Sequence, residues 1–528
     1  MSEAAAFDAL VEEFFSVWFR FHPLAAVHSG RGTAGSLLPL HTDDDQAALA
    51  GWLETLIVAL EELDFNALDQ DRQLDLELLF ALATVEHREL LERDWRHRDP
   101  ARFLPLAAIH RLTLLRPPDL RAALGTLLAD LPDYLLQAMA QLRPMAALVS
   151  PVLARAAMAA AEDGRLYLRA LGNSRWLKDQ CGTGCALAAQ AEIAGEALAH
   201  YADAIRHDLL PQAVGSAACG AAHLRLRLQR RHQLDLDPMT CAPWLDDLAQ
   251  QCEQTDPAPA AGQSHTQASR LRDALGAENR GWLAHLRQRG LFHLPAAPLH
   301  VAGGPVCPRS AGHTIDYVAN PAKAEGWLYV PDTLNGCAVP PTPGEVRARA
   351  LHLGWGGTHA LAFSGGDAAR SLPRRHADGH SLSGGWSLYL DRLLFETADA
   401  RPDDRAAALQ RRRLAVALAR IDLELHCDII DADKAAHRLQ RFMPDTDRAL
   451  RQLARLIQQP GEALAAVLGW RLIEAAADSR ADDSALSPRQ LHDGLLGQGP
   501  IPLPLAMRRA FGDAHWKRIF ERLQPTPT

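Results

Sequence analysis

The 528-residue chain is 48% hydrophobic and 23% charged, with a formal net charge of −9. Those proportions belong to a globular protein, and the length leaves room for two or three lobes. The acidic balance excludes nucleic acid as the main partner, because phosphate binding needs a basic face. No run reaches the ~18 consecutive apolar residues of a membrane span. Met1, Ser2, Glu3 and Ala4 lack the basic start and apolar core of a secretory leader. These features predict a cytoplasmic protein with no membrane partner. The eight cysteines are scattered. Cys181 and Cys185 form a CxxxC pair with no second pair at matching spacing, so the cysteines read as ordinary reduced thiols.

The first half of the chain is written in helix. Leu49, Leu53, Leu56, Leu60 and Leu63 recur at three and four residues and make one apolar stripe. Leu74, Leu78, Leu82, Val85 and Leu90 continue it after a polar break. Asp69, Asp71 and Asp75 lie near the second helix start, where negative charge suits the macrodipole. Alanine and leucine, strong helix formers, dominate 120–215. Pro105, Pro117, Pro118, Pro132 and Pro144 predict ends or kinks. Residues 255–266 are rich in proline and small side chains and read as a linker. From 295 to 345 short β-like runs replace long helices, with a strand expected over Gly326–Pro331. Arg411, Arg412 and Arg413 read as a solvated helix face. Leu450, Leu453 and Ile457 form a last stripe, ended by Pro460 and Gly461, where another helix is expected to carry the proline in its first turn. The expected architecture is mostly α, large and multi-helical, with a small β element in the middle. Its parts are 1–254, the 255–266 linker and 267–528, read as one continuous fold.

Five segments stand in a telling order. They are His352-Leu353-Gly354-Trp355-Gly356-Gly357-Thr358-His359, Gly384-Gly385-Trp386-Ser387-Leu388-Tyr389, Asp422-Leu423-Glu424-Leu425-His426, Pro460-Gly461-Glu462-Ala463-Leu464-Ala465, and Leu491-His492-Asp493-Gly494-Leu495-Leu496. Together they resemble the bacterial domain of unknown function 885 family, whose members read HExxPGHH, EGWAxYxE, DxxLH, PGQALAY and FHDxLLxxGxxP. That family is similar to helical zinc peptidases of the carboxypeptidase Taq kind. The resemblance implies a metallopeptidase-like helical fold with a deep central cleft, and a zinc site built from the HE motif and a downstream glutamate.

A hydrolytic zinc site needs three protein ligands and an open position for water, which the metal makes nucleophilic near neutral pH. A carboxylate directly after the first ligand histidine acts as general base. His352 and His359 align with family histidines and are the implied metal ligands. Leu353, however, stands at the base position and Gly384 at that of the third-ligand glutamate. Thr358 replaces one histidine, and Ala466 replaces the tyrosine after PGQALA. Loss of a positioned base alone costs roughly 10²–10⁴ in rate. The expectation is therefore a degenerate metallopeptidase-like protein without zinc, binding a peptide, small molecule or protein partner in its cleft. The alternative is a divergent metal-dependent hydrolase with a reorganised zinc site. His376, Asp378 and His380 have an HxDxH spacing that suits a metal on a loop, although 373–380 also reads as an exposed polar loop. Asp367 is a further candidate. The remaining cleft candidates are Tyr389, expected to share a helix face with Trp386, and the Asp422–His426 pair, in which a carboxylate could fix a histidine tautomer.

Overall fold

The computed structural model describes residues 2–31, 37–181, 186–253, 267–334, 341–365, 370–395, 400–478 and 486–522. The expected linker, Cys185 and Asp367 lie outside them. The regular elements among the described residues are helices, apart from one three-stranded sheet.

Local chemistry sets the helix starts. The Thr42 hydroxyl accepts from the Asp45 N–H at 3.1 Å and opens Asp43–Glu61. The Asp69 carboxylate accepts from the N–H groups of Asp71 and Arg72 at 3.0 and 2.9 Å and opens Gln70–Glu92. Each satisfies donors that a helix start leaves unpaired. Leu49, Leu53, Leu56 and Leu60 are buried as the stripe predicts and pack in one cluster with Phe7, Phe14 and Phe15 of Glu3–Phe21. Burying such a side chain stabilises by about 1.5–3 kcal/mol.

Two local expectations are corrected and one is narrowed. Pro132 lies inside the Leu120–Leu142 helix and does not end it. An interior proline costs about 3 kcal/mol, and burial of Leu127, Leu128, Leu131 and Leu135 around it offsets that cost. Pro460 is not in a first helical turn, because the helix begins at Glu462. Gly461 turns the chain there with φ +83°, a conformation that glycine adopts without penalty. The arginine run is not a solvated face. Arg411 donates to the buried Asp391 at 2.7 and 3.0 Å, Arg413 donates to the Cys252 carbonyl at 2.7 Å, and Arg412 lies 5.8 Å from the Trp470 ring centre.

The sheet has strands β1 (Leu299–Gly304), β2 (Asp316–Asn320) and β3 (Glu325–Pro331) in the order β1-β3-β2. β1 runs parallel to β3, with Leu299 opposite Gly326, and β2 runs antiparallel to it, with Asp316 opposite Tyr329. The expected strand is thus the central one, with Leu328, Tyr329 and Val330 buried. The largest core lies around the motif helices. It unites Trp386, Leu390, Leu468 and Leu472 with Leu74 and Leu78 from the first half of the chain. Polar ties cross the same boundary, among them Arg374 to Asp75 at 2.7 Å and to Asp71 at 2.8 Å.

Two motif helices, His380–Phe395 and Glu462–Asp478, pack at backbone distance. A Cβ at Gly469 would stand 1.8 Å from the Ser381 carbonyl oxygen, and one at Gly384 would stand 2.7 Å from the Ala466 Cβ. Only residues without a side chain allow this approach, and it governs the site.

Candidate functional site

His352 is the last residue of Pro343–His352. Its Nε2 lies 3.0 Å from Asp391 Oδ1. Asp391 is fully buried. Burial acts to raise its pKa, but the facing His352 and Arg411 outweigh this and hold it below the usual carboxylate range. His359 is also fully buried. Its Nε2–H donates to the Ala297 carbonyl at 2.9 Å, so Nδ1 accepts from the Tyr317 hydroxyl at 3.1 Å. Burial pushes its pKa down to about 4, which keeps the ring neutral.

With both nitrogens of His359 engaged and His352 turned to a carboxylate that Arg411 neutralises, these residues do not fit the implied zinc ion. Leu353 packs against the core where the base would stand. At the position that the resemblance gives to the third ligand, a Cβ at Gly384 would stand 2.7 Å from the Ala466 Cβ, so a side chain there requires the helix pair to shift.

The HxDxH side chains do not converge. His376 ends the Leu372–His376 helix, and its Nε2 lies 2.8 Å from the Ser29 hydroxyl. Its ring packs among Phe15, Trp18 and Phe19, and burial pushes its pKa down to about 4. Asp378 is largely buried, paired with Arg231 and 3.9 Å from His232 Nδ1. His380 Nδ1 lies 3.7 Å from Glu462. The segment is therefore packed rather than an exposed loop: aromatic neighbours and an arginine take up the groups that polarity alone assigns to solvent.

The other candidates serve the helices that carry them. Trp386 and Tyr389 share a buried face as expected. The Trp386 indole donates to the Gly356 carbonyl at 2.7 Å, and the Tyr389 hydroxyl lies 3.0 Å from His492 Nε2. His492 Nδ1 in turn lies 2.9 Å from the Leu291 carbonyl oxygen. Asp422 accepts from the N–H groups of Gly461 and Leu464 at 3.0 and 3.1 Å, so it caps Glu462–Asp478. His426 Nε2 lies 3.0 Å from the Leu456 carbonyl and 3.6 Å from Asp422, while Nδ1 accepts from the Cys219 N–H at 3.1 Å. Each member of the pair is thus tied to backbone as well as facing the other.

Burial pushes Asp422 up to about 7, against the two N–H donors that favour its charge. A carboxyl whose pKa rises on folding contributes stability below its unfolded value of about 3.9, and that contribution is lost as pH rises towards 7. Asp422→Asn does not titrate. Its stability relative to the parent is expected to improve with rising pH between about 4 and 7, by up to about 1.4 kcal/mol per unit. Urea unfolding of both proteins at several pH values checks this; a pH-independent difference contradicts it.

The space beside these segments is a cavity of about 520 Å³. Its walls come from Glu3–Phe21, Gln70–Glu92, the wide helical turn Arg227–Arg231, and the motif stretches 376–378 and 459–460. Six arginines line it, at 93, 98, 102, 227, 230 and 231, with four carboxylates, Glu86, Glu89, Asp99 and Asp378. The carboxylates are engaged. Glu89 pairs with Arg227 and Asp378 with Arg231. Glu86 accepts from the Trp18 indole and lies 2.6 Å from His22 Nε2. Asp99 accepts from the Gln458 amide at 2.9 Å and lies 3.6 Å from Arg102. Arg93 donates to the Ala218 carbonyl at 3.1 Å, and Arg230 lies over the Phe80 ring. Arg93, Arg98 and Arg230 have no carboxylate partner among the described residues. His223 also lines the cavity, 6% exposed, with a buried Nδ1 that has no hydrogen-bond partner.

The sequence reading missed these arginines, because residues 93–102 and 227–231 meet only through the fold. The closely spaced Arg225, Arg227, Arg230 and Arg231 were the visible signal. Trp18, Phe21 and Trp95 give the cavity an aromatic wall.

No curated protein matches the chain. Similar solved structures include a candidate lipoprotein from Colwellia psychrerythraea, with a TM-score of 0.75, 14% identity, and coverage of 99% of this chain and 100% of that one. A second is a candidate lipoprotein of unknown function from Shewanella oneidensis, with a TM-score of 0.67, 12% identity, and coverage of 96% and 99%. A carboxypeptidase from Pyrococcus furiosus matches with a TM-score of 0.37, 11% identity, and coverage of 98% and 99%. The first two share the mostly helical fold. Their description as candidate lipoproteins overturns the cytoplasmic expectation. That expectation rested on composition and on the missing apolar run, and lipid anchoring requires no spanning helix. No helix among the described residues is long and apolar enough to cross a membrane. The description of bacterial proteins of unknown function, DUF885, matches residues 23–509, and the chain belongs to that family.

Proposed function

We propose that this chain is a metallopeptidase-like scaffold that no longer hydrolyses peptides and binds a small carboxylate-bearing ligand in its arginine-lined cavity. One observation carries the reading: three guanidinium groups without a carboxylate partner line a cavity in a chain of net charge −9. Arginine stays charged at ordinary pH, and its planar fork matches a carboxylate with two parallel hydrogen bonds. A volume of about 520 Å³ suits a small molecule or a short peptide end, since such sites span roughly 300–1,000 Å³. The aromatic wall favours a ligand with an apolar part next to its anionic group.

The test is a titration with carboxylates and with their neutral amides, including a tripeptide with a free and an amidated C-terminus. The carboxylate forms are expected to bind and to raise the unfolding temperature, and the amides to do neither. Arg93→Gln and Arg230→Gln should each weaken binding by about tenfold or more, the loss of a charge-assisted hydrogen bond of about 1.5–3 kcal/mol. Equal binding of acid and amide, or unchanged affinity in both variants, contradicts the reading.

A further inference from the structure

Three metal-binding side chains outside the motif segments meet in the interior. His110 lies on Leu106–Leu115, Cys307 follows β1, and Asp316 opens β2. They are 5%, 1% and 8% exposed. One donor atom from each lies within 4.8 Å of the other two, and no other such set of His, Cys, Asp or Glu occurs among the described residues. His110 Nε2 stands 3.0 Å from Asp316 Oδ2. We propose that His110, Cys307 and Asp316 bind a zinc-type transition-metal ion that fastens the Leu106–Leu115 helix to the three-stranded sheet.

The chemistry of the donors selects the metal. One imidazole nitrogen, one sulfur and one carboxylate oxygen form a mixed set that suits zinc, whereas calcium and magnesium take oxygen ligands. Bonds of about 2.0–2.3 Å set donors on a tetrahedral ion roughly 3–4 Å apart, the scale of this cluster. A thiolate and a carboxylate together neutralise a dication, so the filled site carries no net charge into the interior. Binding releases the Cys307 thiol proton to solvent. That thiol lies 3.3 Å from the His313 carbonyl oxygen and 3.6 Å from the Pro308 carbonyl oxygen.

A fourth donor is at hand. His313 Nδ1 lies 3.6 Å from Asp316 Oδ1 and is buried without a hydrogen-bond partner. Arg111, the residue after His110, does not occupy the carboxylate. It donates to His28 at 2.8 Å and to the Tyr317 carbonyl at 3.1 Å. The same helix already packs on the sheet through Leu114, against Val318 and Tyr329, so the ion would clamp an interface that exists. It would join 1–254 to 267–528. None of the three ligands lines the arginine cavity, so this site and the ligand site stand or fall separately.

The experiment strips the full chain with chelator and titrates it with Co²⁺, then displaces the cobalt with Zn²⁺. One cobalt per chain is expected, with thiolate-to-cobalt absorption that zinc abolishes. Cys307→Ser should lose the absorption, Asp316→Asn should weaken binding by tenfold or more, and His352→Ala should leave both unchanged. Zinc should raise the parent's unfolding temperature. Absence of thiolate absorption in the stripped parent overturns the proposal on its own, whatever the folding of the variants. So does absorption that survives in Cys307→Ser, or that is lost in His352→Ala while that variant remains folded.

Discussion

Asp391→Ala is expected to destabilise the protein by about 3 kcal/mol, the lower end of the cost of breaking a buried ion pair, because the Arg411 side chain keeps some solvent contact. Asp391 has no exposed surface. It accepts two hydrogen bonds from Arg411 and lies 3.0 Å from His352 Nε2. Truncation opens a cavity and leaves the half-buried Arg411 guanidinium without its carboxylate, beside the Phe395 ring 5.4 Å away. Replacing both partners with apolar groups should cost much less, because the two desolvation penalties disappear together. Denaturant unfolding of Asp391→Ala and of an Asp391→Leu, Arg411→Met pair checks this. A single-variant loss under about 1 kcal/mol would show that the network does not hold His352 in place.

The second large effect concerns the motif itself. Leu353→Glu combined with Gly384→Glu restores two family letters, yet it is expected to yield no peptidase and to destabilise the fold. The new Cβ at 384 would stand 2.7 Å from the Ala466 Cβ, against a helix that already touches its neighbour's backbone at Gly469. Overpacking of this kind costs about 1–3 kcal/mol. At 353 a carboxylate would replace a side chain that packs on the core. His359 would remain bound to Ala297 and Tyr317. Thermal unfolding and a zinc-supplemented peptide assay on the double variant measure both parts. Wild-type stability together with new hydrolysis would contradict the account.

Much of the architecture was legible because it is local. The spacing of Leu49, Leu53, Leu56 and Leu60 marked a buried face, Asp69 marked a helix start, and Gly326–Pro331 marked a strand. Family letters located the motif helices. What escaped was non-local. Pro132 reads equally as an end or a kink unless the leucines that bury its helix are known. Arg411 reads as solvated until Asp391, twenty residues earlier, turns out to face it. The polar letters of 373–380 gave no sign that Phe15, Trp18 and Arg231 enclose them. The arginine cavity and the His110, Cys307 and Asp316 cluster depend on residues more than a hundred positions apart, which no periodicity links. Localisation failed for another reason: a missing apolar run excludes a spanning helix but says nothing about a lipid anchor.

The most direct test of the central claim is peptide hydrolysis by the purified full chain. The assay uses a mixed peptide substrate, with zinc supplied and with chelator, beside His352→Ala. The account predicts no turnover above the uncatalysed rate in any of the three. Chelator-sensitive hydrolysis that disappears in His352→Ala would contradict it, and would mean that the altered motif still assembles a working metal site.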